Sequence, residues 1–244
     1  FAETDFSGLK AITTAAAPCS KAVMQTFLDK GVPISQTYGM TEAGPSNCAY
    51  IPHSDSMDEL LDNSASIGTS MFHCDSRIVD QESGHEVKPG DIGVLCLRSP
   101  HNFDGYLHDP ARTGKTILEN GWIYTGDLAV QDEDGLLFIK GRADNMFISG
   151  GENISPEEIE NALMKHPAVA GAICAGIPDP KWGQAPVALV VFHAGSSVAE
   201  DELKAFCRES LADYKVPRQI RPVAELPLTA VGKLNRNAVA AQFA

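Results

Sequence analysis

The chain has 244 residues, of which 43% are hydrophobic and 21% charged, and a formal net charge of −13. That length allows one large domain or two ordinary ones, and the balance is that of a globular protein. The acidic excess argues against a nucleic-acid binder, which presents a basic face, and no run approaches the roughly 18 apolar residues of a membrane span.

The six cysteines (Cys19, Cys48, Cys74, Cys96, Cys174, Cys207) are scattered, with neither a CxxC pair nor His/Cys ligand spacing. This sets aside a disulfide framework or a zinc site and fits a reducing, cytoplasmic setting. Each cysteine reads as a small core residue.

Residues 9–13 form a short strand-like run, followed by the small segment Thr14-Ala15-Ala16-Ala17-Pro18. Ser20 is predicted to cap a helix through Asp29, with Val23, Phe27 and Leu28 on one face and an end at Gly31. Residues 32–36 read as the next strand. Strand, helix, strand is a βαβ unit, which places a ligand at the strand ends, where residues 15–18 and 38–42 fall. From residue 67 to 140 short strands alternate with turns (77–80, Gly93–Arg98, and those around Trp122 and Leu136), which suggests a small β-barrel or sandwich. Asp134-Gly135 lies between two apolar runs and signals a two-residue hairpin.

Residues 141–145 (Gly-Arg-Ala-Asp-Asn) are short, charged and aperiodic, which suits a joint between two bodies. Ser155-Pro156-Glu157-Glu158 is a helix start: Ser155 can cap, Pro156 has no N–H to lose, and Glu158 completes a capping box. That helix runs to Lys165 and stops at His166-Pro167. Apolar runs at 169–177 and 187–192 follow, then a helix carrying Leu203, Phe206, Cys207 and Leu211. A strand at 219–223 and a terminal helix from about Asn235 finish an α+β region of roughly 100 residues, enough to fold alone.

Four blocks stand in order along this pattern: QTYGMTEAG (36–44), GWIYTGDLA (121–129), GLLFIKGRADNMFISGGENISPEEIE (135–160) and PLTAVGKLNR (227–236). One short motif is weak evidence. Four long ones in order resemble the AMP-forming acyl-CoA synthetase (acid–CoA ligase) family of adenylate-forming enzymes. The resemblance implies a mixed α/β and α+β fold. Residues 1–143 would end a large N-terminal domain, as a βαβ portion (1–62) and a β-barrel portion (63–143), and 144–244 would be a small mobile α+β C-terminal domain. It also implies ATP, AMP, Mg²⁺ and coenzyme A as ligands, with a carboxylic acid as substrate.

Carried over residue by residue, the resemblance assigns roles. Tyr38 offers a plane for adenine, with Gly39 beside it. Thr41 contacts the α-phosphate, and Glu42 serves the metal, as Mg²⁺ takes one or two carboxylates plus phosphates. Ala16, Ala17 and Pro18 fall in the small segment that lets backbone approach the adenine edge, although Thr14-Ala15 stand where the family usually has a glycine. Asp127 is the ribose carboxylate, and Arg142 also reaches the ribose. Asp144 is the hinge. Gly150 and Gly151 belong to the loop of the thioester step, where Trp182 and Tyr214 would line the coenzyme A path. Lys233 is the adenylation lysine, a compact charge on a long stem. Each residue also has an ordinary reading, as a turn acid, a surface ion pair or a packing aromatic; the order of the four motifs outweighs it.

The family's Ser/Thr/Gly-rich phosphate loop would lie upstream of Phe1, so the chain reads as a fragment whose first partner is the upstream half of the same enzyme. By itself it is expected not to adenylate an acid. The context of Lys233 also resembles the substrate pattern of protein acetyltransferases, and a homodimer is a further expectation. Alternatives are a freestanding adenylation domain loading a carrier protein and a non-catalytic nucleotide-binding module. The acid is not named by the sequence, which leans to fatty or aromatic acids over amino acids.

Overall fold

The computed structural model describes residues 4–16, 19–51, 57–229 and 234–243, and the chain divides into two compact units, Phe1–Ile139 and Lys140–Ala244. In the first, β1 (Ile12–Thr14), α1 (Lys21–Leu28) and β2 (Ile34–Met40) form the expected βαβ unit, with Ile12 opposite Ile34 in a parallel ladder. Ser20 caps α1, its hydroxyl accepting the Val23 N–H at 3.3 Å. The buried face differs from expectation: Met24 and Leu28, one turn apart, pack with Ile34, Tyr50 and Leu60, while Val23 is exposed. A residue one position earlier lies about 100° round the helix and misses the sheet.

β2 runs four residues past the expected end at Gln36. The ladder continues because β3 (Gly44–Ala49) folds back on it, with Thr37 opposite Ala49 and Met40 opposite Gly44. Thr41-Glu42-Ala43 are therefore the tip of a tight hairpin. After α2 (Met57–Asp62), β4 (Thr69–Ser70) pairs with β3 and completes a four-stranded sheet in the order β1-β2-β3-β4.

The second sheet of this unit runs β5 (Asp75–Val79), β6 (Gly93–Arg98), β7 (Ile123–Gln131), β8 (Leu137–Arg142), with α3 (Pro110–Thr116) between β6 and β7. The expected barrel is not formed: these four strands are an open sheet whose edges, β5 and β8, do not pair. Four strands are too few, since about eight are needed to enclose an interior that side chains can fill. The apolar face is covered instead by the first sheet, and Leu95, Leu97, Ile123, Ala129 and Leu137 share one core with Ala43 and Cys48. That shared core brings β7 to the hairpin tip of β2–β3. Five residues, 132–136, connect β7 to β8, not two. Asp132 N–H donates to Leu136 O at 3.0 Å, and the Asp132 carboxylate reaches forward to the N–H groups of Asp134 and Leu136.

In the second unit β9 (Phe147–Ser149) and β10 (Glu152–Ile154) make a hairpin, followed by α4 (Pro156–Met164), β11 (Val169–Asp179), β12 (Gly183–Phe192), α5 (Glu200–Arg208), β13 (Gln219–Pro222) and α6 (Arg236–Ala240). The sheet runs β10-β9-β12-β11, with β13 parallel to β12. Successive residues point to opposite faces. Ala172, Cys174, Ala188 and Val190 pack under α4 and α5, and Ile173, Ala175, Val187 and Leu189 pack with Val239 of α6. Burial on both faces explains why these strands read as unbroken apolar runs.

The capping box at α4 is not formed. Ser155 is the N-cap but makes no side-chain cap bond; its hydroxyl is turned to the Glu157 carboxylate at 2.8 Å, and Glu158 is drawn off to Lys215 at 2.6 Å. Five of the six cysteines are buried and all six are free. Burial pushes the Cys48 thiol up to about 12 and those of Cys96 and Cys207 to about 11, which makes them poor nucleophiles. No helix among the described residues is long and apolar enough to cross a membrane.

Candidate functional site

In the first unit the hairpin of β2 and β3 meets β7, and there Tyr38 and Asp127, 89 positions apart, come together: the phenol O–H donates to Asp127 Oδ2. Burial, and then the charge of Asp127, raises the phenol far above its ordinary pKa, so it remains a donor. The backbone that presents Asp127 is pinned by Thr125. Its hydroxyl donates to Leu95 O in β6 at 2.7 Å and accepts the Asp127 N–H at 3.0 Å.

Glu42 sits at the hairpin tip beside the exposed Thr41. Tyr106, which sequence reasoning did not single out, donates its hydroxyl to Glu42 Oε1 at 2.6 Å, and Phe103 N–H donates to Glu42 O at 2.9 Å. The Arg112 guanidinium lies 3.9 Å from the centre of the Tyr106 ring. Burial and the bond to Glu42 raise the Tyr106 pKa. The hairpin tip is thus clamped by the 103–106 segment at both backbone and side chain. Among the described residues no three His, Cys, Asp or Glu side chains cluster as a metal would need. A cation at Glu42 would therefore take one protein carboxylate and find its other ligands on a nucleotide or in water, the arrangement Mg²⁺ favours.

Gly39 faces β3 so closely that a β-carbon would lie 2.7 Å from Gly44 O. Gln36, the residue opening the first motif, accepts the Cys19 N–H at 2.8 Å and donates to Ser64 O, which ties the chain after the small segment to the sheet. Within that segment Ala16 is exposed and adopts φ +73°, a conformation costing a non-glycine residue about 1–2 kcal/mol. Ala17 and Pro18 lie outside the described residues.

In the second unit Arg142 and Asp144 meet as an exposed ion pair at 3.3 Å, a contact worth at most about 1 kcal/mol. Asp144 is the middle residue of a 3₁₀ turn, Ala143–Asn145. Gly150 and Gly151 are the two-residue turn of the β9–β10 hairpin, with φ +62° and +92°, values that suit a turn of this length and exclude most side chains. Gly150 N–H donates to Trp182 O at 2.9 Å, and a β-carbon on Gly150 would sit 2.7 Å from the Trp182 ring. Two residues assigned to the coenzyme A path are thus packed on each other. Tyr214 is exposed in the turn Asp213–Lys215, with the Lys215 ammonium 5.7 Å from its ring centre. Lys233 lies outside the described residues. The chain on either side of it is fixed: Leu228 and Leu234 form an antiparallel bridge, and Asn235 N–H donates to Pro227 O at 2.9 Å.

Sequence reasoning also missed a charged cluster under α4. Arg236 Nη2 reaches Glu157 Oε1 at 2.9 Å and Glu160 Oε2 at 2.8 Å, and Glu160 is only 5% exposed. A signal was present, because Glu160 occupies the apolar face of α4 beside Ile159 and Leu163. Burial pushes its carboxyl up to about 7 against the opposing pull of Arg236 and of the Cys174 N–H.

Two family models match the chain: one described as AMP-binding enzyme over residues 1–107, the other as AMP-binding enzyme C-terminal domain over residues 158–233. The chain carries both matches in order, an AMP-binding enzyme domain and then its C-terminal domain. Its curated relatives include a 2-succinylbenzoate–CoA ligase of Bacillus cereus, 40% identical over 96% of this chain and 47% of the relative. Another is the putative acyl-CoA synthetase YngI of Bacillus subtilis, 39% identical over 95% of this chain and 42% of the relative. The chain spans about half the length of the curated relatives it matches. Among solved structures, the o-succinylbenzoate CoA synthetase of Bacillus subtilis in complex with its acyl-adenylate superposes with a TM-score of 0.84 at 33% identity, over 96% of this chain and 46% of that one. The amide bond synthetase McbA of Marinactinospora thermotolerans gives 0.88 at 30% identity, over 100% and 49%.

Proposed function

We propose that this chain is the C-terminal half of an AMP-forming acid–CoA ligase. The observation that carries the reading is the Tyr38–Asp127 pair at the β2–β3 hairpin, beside the clamped Glu42. An aromatic plane, a carboxylate able to accept from two vicinal hydroxyls, and a second carboxylate within the same hairpin are what a nucleoside phosphate needs. The family match and the ligase relatives support it.

In the first half-reaction a carboxylate oxygen of the acid attacks the α-phosphorus of ATP and the bond to pyrophosphate breaks, leaving acyl-AMP. Thr41 and Lys233 stabilise charge on the α-phosphate and the attacking carboxylate. Asp127, with Tyr38 holding its second oxygen, orients the ribose, assisted by Arg142. Ala16, Ala17, Pro18 and Gly39 leave room for the adenine edge. Glu42, steadied by Tyr106, would hold Mg²⁺, which supplies charge neutralisation for the phosphates. In the second half-reaction the coenzyme A sulfur attacks the acyl carbon, the bond to phosphate breaks, AMP leaves and the thiol proton passes to solvent. Gly150, Gly151, Trp182 and Tyr214 guide the pantetheine arm. Positioning and electrostatics do the catalytic work. Asp144, exposed in its short turn, is the hinge between the body ending near residue 143 and the small domain, and it lets that domain serve first one step and then the other. A cytoplasmic location and regulation by acetylation of Lys233 belong to the same reading.

The likeness to an amide bond synthetase over the whole chain favours one second reading, in which an amine replaces the thiol as acceptor. The test is AMP release by the full natural polypeptide with ATP, Mg²⁺ and a panel of aromatic and fatty acids, with coenzyme A, simple amines and carrier proteins as acceptors. Release that depends on both an acid and coenzyme A is expected. Release with amines alone moves the assignment to amide synthesis, and folded protein inactive on every acid sinks the adenylation reading.

A further inference from the structure

Arg236 stands three residues beyond Lys233 and opens α6. One of its nitrogens, Nη2, bonds two carboxylates of α4, Glu157 at 2.9 Å and Glu160 at 2.8 Å. Glu160 is in turn held by the Cys174 N–H of β11 at 2.8 Å, so the grip is anchored in the central sheet. Glu157 carries more than Arg236. Its Oε1 also accepts from the Asn145 amide at 2.6 Å, and its Oε2 from the Ser155 hydroxyl at 2.8 Å. Ser155 lies 3.2 Å from Lys140 O as well, and a β-carbon on Gly141 would come within 2.7 Å of Glu157 Oε2. The segment around Asp144 and the chain just after Lys233 therefore share one carboxylate.

We propose that Arg236 is a positioning residue: by gripping Glu157 and Glu160 it fixes the downstream foot of the Lys233 loop, and through Glu157 it ties that loop to the 140–145 segment. The described residues on either side of 230–233 are joined by the Leu228–Leu234 bridge and the Asn235-to-Pro227 bond. Neither contact fixes the loop against the sheet. The Arg236 grip does, because it attaches the first residue of α6 to a helix packed on the opposite face. Arg236 also leaves its Nε buried without a partner among the described residues. The side chain is thus aimed at the two carboxylates at the expense of its own remaining donor.

The role of Lys233 rests on the ligase reading; the tethering of its loop does not. The test therefore has two arms. Removing Arg236 alone strands a buried carboxylate and can unfold the unit, so the first variant is the double replacement Glu160→Met/Arg236→Met, with Glu157→Gln and Arg236→Lys beside it. In amide hydrogen exchange by mass spectrometry on the 244-residue chain, the double variant is expected to speed exchange in the 227–235 peptide about tenfold. β11 and β12 should stay unchanged, and Arg236→Lys should stay near wild type because both bonds use one nitrogen. Unchanged exchange at 227–235 overturns the proposal, as does a rise spread equally over β11 and β12. In the full ligase, with an acid found by the AMP-release screen, Glu157→Gln and the double variant should slow ATP–pyrophosphate exchange. The size expected of a misplaced reacting group is about 100-fold. Thioester formation from preformed acyl-adenylate should stay within about twofold. Equal loss in both half-reactions overturns the positioning role. If no acid supports AMP release, the ligase reading falls while the exchange arm still judges the tether.

Discussion

The Tyr38–Asp127 bond joins a phenol whose pKa is raised by burial to a carboxylate it must satisfy. Tyr38→Phe should cost about 1.5–3 kcal/mol, the worth of a hydrogen bond to a charged group, read as a shift in urea midpoint; a change under 0.5 kcal/mol would mean the contact carries little. The same variant should leave the ultraviolet titration of the remaining tyrosines unaltered up to pH 11, because the Tyr38 phenol does not ionise there. Glu160 gives a prediction of opposite character. Its folded-state pKa of about 7 stands above the ordinary 4.5, so between those values the folded chain keeps a proton that the unfolded chain releases. Stability must then fall as pH rises through that window. The depressed carboxylates Asp80, Asp179 and Glu200 act the other way, and only at pH values below their ordinary range. Urea midpoints of wild type minus Glu160→Gln, taken at pH 5 and pH 7.5, should show the wild type losing its relative advantage at the higher pH. A flat difference would refute the assignment of that proton to Glu160.

Among the elements, the β9–β10 hairpin makes the sharpest demand on sequence. Gly150→Ala must meet both a positive φ and the Trp182 ring, whereas a β-carbon on Gly151 has open space. The first should lower the melting temperature distinctly more than the second, which faces only the backbone cost of about 1 kcal/mol or somewhat more; equal shifts would show that the ring moves aside freely. This hairpin is legible in the sequence as a Gly-Gly pair between short strands, although glycines in sequence equally suit an open loop. α3 is absent from the sequence expectations although Asp109-Pro110, a capping residue followed by a proline, signals it. The strands of the second unit were found because burial on both faces leaves an unbroken apolar run. What failed was whatever depends on a distant partner. Ser155 and Glu158 have the right identities for a capping box, but Glu157 and Lys215 compete for them in three dimensions. Strand spacing suggests a barrel or sandwich for the open sheet because spacing does not reveal which edges pair.

For the whole molecule, the division at Ile139–Lys140 and the two-faced sheet of the second unit predict that residues 140–244 expressed alone will unfold cooperatively in calorimetry. A broad, non-cooperative melt would contradict this. At this scale motif order alone points Tyr38 and Asp127, by resemblance, to one ligand. Their direct bond, the clamp of Tyr106 on Glu42 and the Arg236 grip were not legible, because each is a pairing across 64 to 89 positions. One further consequence concerns light. The chain has two tryptophans: Trp122 in the first unit, flanked by Arg77 at 4.2 Å and Arg98 at 4.8 Å, and Trp182 in the second, laid against Gly150. Each unit therefore carries its own fluorophore, and Trp122→Phe leaves a protein whose entire indole emission comes from Trp182, packed beside the turn of Gly150 and Gly151. Anything that slides past that turn should change the colour or brightness of the emission, and the event can be timed without attaching a dye.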